Sequence, residues 1–188
     1  KRAVIETRND YIGGTGNELM SDERVVTFRM MRGQLVIDFD ITFIASYGDV
    51  EIGDMKDAGL SVRIPSSMSL KSEMGGKIVN SEGVRDGDTW SKRAAWVDYH
   101  GPVDGEHLGI AILNHPDSFR YPTPWHVRTY GLFTANPFGF KSLDKTLDDA
   151  SFTLIDGTRF LLRHRLIFHE GDEKDAKIAQ AFKAYSKQ

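Results

Sequence analysis

The chain has 188 residues, 40% of them hydrophobic and 27% charged, with a net charge of −3, which is globular composition on a scale that builds one domain with a real core. No apolar run approaches the roughly 20 residues of a membrane-spanning helix, and the scattered basic residues make no stripe of the kind phosphate backbones demand, so neither a membrane nor a nucleic acid is an expected partner. The absence of cysteine removes disulfides, thiolate nucleophiles and Cys-ligated metal centres from consideration.

The chain opens at Lys1 with neither an initiator Met nor an apolar leader, as a processed or trimmed piece of a longer protein would. Gly13-Gly14-Thr15-Gly16 lacks the Gly, Lys and Ser/Thr that complete a phosphate-cradling loop and reads as a flexible turn. From Arg24 to Ala45 apolar residues recur at every second position on either side of Arg32-Gly33: Val26, Phe28 and Met30, then Leu35, Ile37, Phe39, Ile41 and Phe43. That period predicts a β-hairpin whose polar face, with Asp38 and Asp40, meets solvent. Further strands are expected at Leu60–Ile64, Arg93–Tyr99, Leu108–Leu113 and His126–Phe133, separated by Gly, Pro, Asp and Asn clusters. Ser151–Ile155 and Thr158–His169 flank Asp156-Gly157 and read as a second hairpin. Asp172–Gln188, with an N-capping Asp172 and Ile178, Phe182 and Tyr185 at i, i+4, i+7, predicts a terminal amphipathic helix docked on the sheet. The expected fold is therefore mostly β, a single antiparallel β-sandwich over residues 1–188 with a C-terminal α-helix.

Chemistry-bearing residues concentrate between Asn114 and Tyr130, where prolines stiffen a segment rich in His, Arg, Trp and Tyr. If Trp125–Tyr130 is a strand, alternation sends His126, Arg128 and Tyr130 to one face, where they suit acid–base work on an oxygen-rich substrate. In that scheme His126 exchanges a proton, Arg128 and Arg120 hold an anionic or carboxylate group, and Tyr130 donates to a substrate oxygen. The bland alternative is an Arg–carboxylate pair beside an ordinary buried hydrogen-bond network. Trp96 and Asp98 share a face with His100, an aromatic–carboxylate pairing that sugar sites use, although Trp96 equally suits the core. His164 sits alone in an apolar row and reads as a hydrogen-bonded core histidine. No His pair has the i, i+4 spacing of a helical zinc site and no acidic calcium loop occurs, so neither metal nor cofactor is expected, His115 with His126 being a weak exception.

Several segments together are similar to a bacterial family of uncharacterised proteins labelled PmoA-like, or a domain of unknown function. They are Ile37-Asp38-Phe39-Asp40, Gly75 through Gly83, Trp96-Val97-Asp98-Tyr99, Gly109 through Ile112 with Asn114-His115-Pro116, Pro124 through Phe133, and Asn136-Pro137-Phe138-Gly139. The similarity runs from about Arg24 onward. Its label implies a subunit of particulate methane monooxygenase, which is an integral membrane assembly; without a spanning segment here, methane oxidation is discounted. The resemblance implies instead a sandwich of the galactose-mutarotase-like supersandwich type, exported to the periplasm or beyond, and carbohydrate chemistry. The family's upstream His-His-Arg-Gly segment has no match in this chain, so part of the site is expected to precede Lys1.

The leading expectation is a carbohydrate-active protein, a hydrolase, lyase or epimerase, with His126, Arg128, Tyr130 and Asp98 as catalytic residues. Asn114, His115, Arg120, Trp96 and Trp125 would bind a small-molecule or oligosaccharide substrate. Alternatives are a non-catalytic carbohydrate-binding module, a structural domain, or a metal-dependent oxygenase as the label suggests. Association as a homo-oligomer, or with the missing N-terminal segment, is a further expectation.

Overall fold

The large sheet is antiparallel throughout, and its strand order departs from chain order at one point. In the computed structural model, which describes residues 1–188, β1 (Arg2–Ile12), β2 (Glu18–Met31) and β3 (Gln34–Ile44) form one half, and β6 (Lys77–Asn80), β7 (Trp96–Val103) and β8 (Glu106–Asn114) the other. The last strand, β12 (Arg159–Glu170), lies between β3 and β8 and joins the halves into seven strands, β1-β2-β3-β12-β8-β7-β6. A smaller sheet of β5 (Leu60–Arg63), β10 (Leu132–Ala135) and β9 (Trp125–Val127) covers one face, with β4 (Val50–Ile52) and β11 (Phe152–Leu154) paired beside it. This is a mostly β, antiparallel sandwich with one short helix, α1 (Ile178–Tyr185), as the composition and periodicity predict.

Alternation decides what each face meets. Ile37, Phe39, Ile112, Val97, Tyr99 and Leu166 point inward and pack against Trp125, Val127 and Phe133 of the small sheet. Their neighbours Val36, Ala111, Leu113, Trp96 and Ile167 point outward, where Ile178 and Tyr185 of α1 cover them. The outer face of the large sheet is thus a second core, and it alters the expected role of Asp38 and Asp40. Asp38 is out of solvent, and Asp40 is partly so. Asp38 is 8% exposed and chelated by Arg165, whose Nε lies 2.5 Å from Oδ1, with Arg29 as a further partner. Asp40 is half-buried with Arg163 Nε at 3.6 Å. The helix over these strands removes the water that a polar row on an open sheet would have met.

The Arg32-Gly33 hairpin forms as its periodicity predicts, with Met31 paired to Gln34. Three expectations need correction. The stretch His126–Phe133 is two strands: Val127 ends β9, the Arg128 N–H donates to Leu132 O at 2.8 Å, and Gly131 takes φ +98°, a conformation that excludes most side chains. Asp156-Gly157 does make a tight turn, Thr158 N–H to Ile155 O at 2.9 Å, but no hairpin, because β11 pairs with β4 while β12 enters the large sheet. The helix begins at Ile178, after Lys177 adopts a left-handed conformation (φ 55°). Asp172 caps the preceding turn instead, its Oδ1 accepting from the N–H groups of Lys174 and Asp175. The strands β1, β4 and β6 carry no clear sequence signal, the last two being four residues or fewer.

Candidate functional site

Trp125 and Val127 fill the core between the sheets, which leaves His126 on the outer face of the small sheet, paired across to Thr134. Its Nδ1 lies 2.5 Å from Lys56 O and so carries the proton, leaving Nε2 as an acceptor. Burial disfavours the charged ring, and although the Lys56 carbonyl and Asp57 pull the other way, the His126 pKa falls below the usual value. Trp90 meets the imidazole edge-on, ring centres 4.7 Å apart, and is anchored by its Nε1 to Leu143 O at 3.2 Å. Arg128 follows, its Cζ 4.4 Å from the Trp90 ring centre and 5.4 Å from that of Tyr130, while Arg63 approaches Tyr130 at 5.5 Å. The Arg128 guanidinium is held by π contacts alone, with no hydrogen bond or ion pair inside the chain. Tyr130 is 46% exposed. His126, Arg128 and Tyr130 therefore do share a surface, but the turn after β9 puts Tyr130 there, and Trp90 links them.

The other predicted residues lie elsewhere. Trp125 is fully buried, with its Nε1 donating to Ala94 O at 3.0 Å. Asn114 is buried too, accepting from Thr123 N–H and facing His164 Nε2 at 3.4 Å. His164 has no other partner, and complete burial pushes its pKa down to about 4, so it is a neutral core histidine. Arg120 packs over Phe119, Phe140 and Phe152 and directs its donors to Pro137 O and Ala150 O, locking the loops around β11. His115 lies on the helix-covered side, edge-on to Tyr185, with its pKa lowered by burial and by Arg163. Trp96 is core beneath α1. Asp98 is on that same covered face and does not join His126.

What Asp98 joins is a cluster that local spacing does not reveal. Its Oδ1 is 2.6 Å from His100 Nδ1 and its Oδ2 is 2.6 Å from His169 Nε2, so one fully buried carboxylate is shared by two imidazoles. Burial works against a charged His169, but the hydrogen bond and charge of Asp98 outweigh it and raise the pKa above the ordinary histidine value. Glu173, on the turn before α1, aims Oε2 at His100 Nδ1 from 4.0 Å, while Oε1 meets Arg85 at 3.4 Å. Gly109 makes the arrangement possible: a Cβ there would lie 2.2 Å from His169 Cε1. His169 also lines a cleft of about 910 Å³ between the C-terminal turn and the Arg32 hairpin. Of this cluster the sequence pairs only Asp98 with His100, which share strand parity on β7; His169 on β12 and Glu173 in an irregular turn carry no signal that joins them to it.

The chain matches, over residues 1–183, the model of a family of unknown function, DUF6807. It belongs to that family. No curated protein matches this DUF6807 chain. Among solved structures it is similar to a polysaccharide lyase, with a TM-score of 0.36 and 14% identity over 87% of the chain. The match covers 23% of the lyase, so the DUF6807 chain spans under a quarter of that protein's length.

Proposed function

We propose that this DUF6807 chain handles carbohydrate, and that the Trp90–His126–Arg128–Tyr130 surface receives an acidic sugar. The observation that carries this reading is the Arg128 guanidinium, positioned over two aromatic rings with every donor free. A planar fork of this kind matches a carboxylate bidentately, and an exposed tyrosine ring offers the flat apolar surface that sugar C–H groups cover. Arg63, 5.5 Å from the Tyr130 ring centre, supplies a second positive charge.

A catalytic version of the same reading has its own support. His126 is neutral, with its tautomer fixed by Lys56 O and the Nε2 lone pair available, which is the state a general base requires. Its 3% exposure favours binding over catalysis. Titrating the protein with uronic-acid oligosaccharides while following tryptophan fluorescence tests both. Acidic oligosaccharides are expected to bind where neutral ones do not, and Arg128→Ala to weaken binding by about 10- to 100-fold, the worth of a charge-assisted pair. Turnover abolished by His126→Ala at unchanged affinity would select the catalytic version. Equal binding of neutral and acidic sugars, or no binding of either, would sink the proposal.

A further inference from the structure

The structure assigns a second site, on the opposite side of the sandwich: we propose that Asp98, His100 and Glu173 bind a divalent transition-metal cation of the Zn²⁺ or Mn²⁺ class. Asp98, His100 and Glu173 each offer one donor atom, the three lying within 4.8 Å of one another, and all three residues are buried; His100 Nδ1 is 2.6 Å from Asp98 Oδ1 and 4.0 Å from Glu173 Oε2. One imidazole nitrogen with two carboxylate oxygens is a borderline donor set, suited to Zn²⁺ or Mn²⁺ and lacking the thiolates that softer ions select.

The surroundings favour a cation on three independent grounds. Two carboxylates meet in a buried space, and Arg85 engages Oε1 of Glu173 only, leaving Oε2 without a hydrogen bond and too far from His100 to make one. Asp98 is oriented from behind, because His169 Nε2 holds its Oδ2 at 2.6 Å. Ligating carboxylates are commonly held in place by such an outer hydrogen bond. There is also a route in, since Glu173 and Arg85 border a cleft of about 430 Å³ under the C-terminal turn.

Binding would replace the proton at His100 Nδ1 by the cation: a neutral ring moves that proton to Nε2, and a doubly protonated ring releases it to solvent. Nδ1 and Asp98 Oδ1, now 2.6 Å apart, would open to about 3 Å so that the ion contacts both, with Glu173 Oε2 closing from the third side. Water would complete the coordination. Because Asp98 and His100 belong to β7 while Glu173 belongs to the turn leading into α1, the ion would fasten the C-terminal turn to the sheet.

Isothermal titration of chelator-treated protein with Zn²⁺, and separately with Mn²⁺, tests this. The expected result is one ion per chain and a rise in melting temperature that grows with metal concentration. His100→Ala and Glu173→Gln should each weaken binding by at least about 100-fold, and His169→Ala by about 10- to 100-fold. Visible absorption of the Co²⁺-loaded protein reads the site directly, and its band should vanish in His100→Ala while the circular dichroism of the fold is retained. His107, exposed and 5.3 Å from His100 by ring centres, is the control. Should His107→Ala remove binding while Glu173→Gln leaves it intact, a surface histidine explains the metal and the site is refuted. It is equally refuted if neither Zn²⁺ nor Mn²⁺ binds.

Discussion

The two outer faces of the sandwich treat charge in opposite ways. On the face covered by α1, each charged group has a partner: Asp38 has Arg165 and Arg29, Asp40 has Arg163, and Asp98 has His100 and His169. On the open face, Arg128 rests on aromatic rings with its donors free, and Tyr130 stands half out of the protein. The first arrangement is stability-critical, because removing one member of a buried pair strands the other in a poor solvent. The second is easily altered, and what it holds ready is recognition.

That contrast is open to measurement. Asp38→Ala should have the largest effect, about 3–5 kcal/mol lost from unfolding free energy in urea, because Arg165 is left buried with only Gln188 and the Tyr185 ring as company. A loss under about 1 kcal/mol would show that water reaches beneath α1 and that the faces do not differ.

Acid comes next. The His164 pKa of about 4 in the fold lies below the ordinary 6.5, so between those values the unfolded chain binds a proton that the folded one does not. Stability is complete above pH 6.5 and declines as pH falls toward 4, by about 3 kcal/mol from this residue. Comparing unfolding free energies at both ends of that range, His164→Leu should lose most of the slope. If the slope persists unchanged, the covered face and not the core carries the acid sensitivity.

Gly109→Ala should cost about 1–3 kcal/mol by pushing His169 off Asp98. A shift of the His169 imidazole signals in NMR spectra is the accompanying sign, and an unmoved ring would mean that the sheet yields instead. Arg128→Ala should cost least, under about 1 kcal/mol, the scale of a cation–π contact at a partly exposed site. A greater thermal penalty there would make the open face structural.

Strand periodicity is legible where a long run buries one face, as in Val26 through Phe43 and Leu108 through Leu113, because that burial repeats at every second residue; β1, eleven residues long but largely exposed on both faces, shows none. Shorter strands offer no such repetition: two buried residues in Ile78-Val79 are no pattern at all. The failed hairpin at Asp156-Gly157 has a different origin. Turn chemistry fixes only the local reversal of the chain, whereas partners are chosen by long-range packing. Likewise a solvated Asp38 is a sound expectation for an isolated sheet and fails because a helix more than a hundred residues later covers it. His126, Arg128 and Tyr130 are legible as neighbours since they are close in sequence. Asp98, His169 and Glu173 come together only through the order of strands, which no local pattern encodes.

That order also has a temporal meaning. The strand at the centre of the large sheet, β12, is the last of its seven strands to leave the ribosome. Until about residue 170 has been synthesised, the nascent chain holds two partial sheets, each with an unsatisfied edge at the position β12 will occupy. Vectorial synthesis therefore cannot build this domain progressively from its N-terminus; it must wait and then close in one step around the arriving strand. Stalling or truncation ahead of Arg159 would release not a shortened domain but a pair of sticky half-sheets.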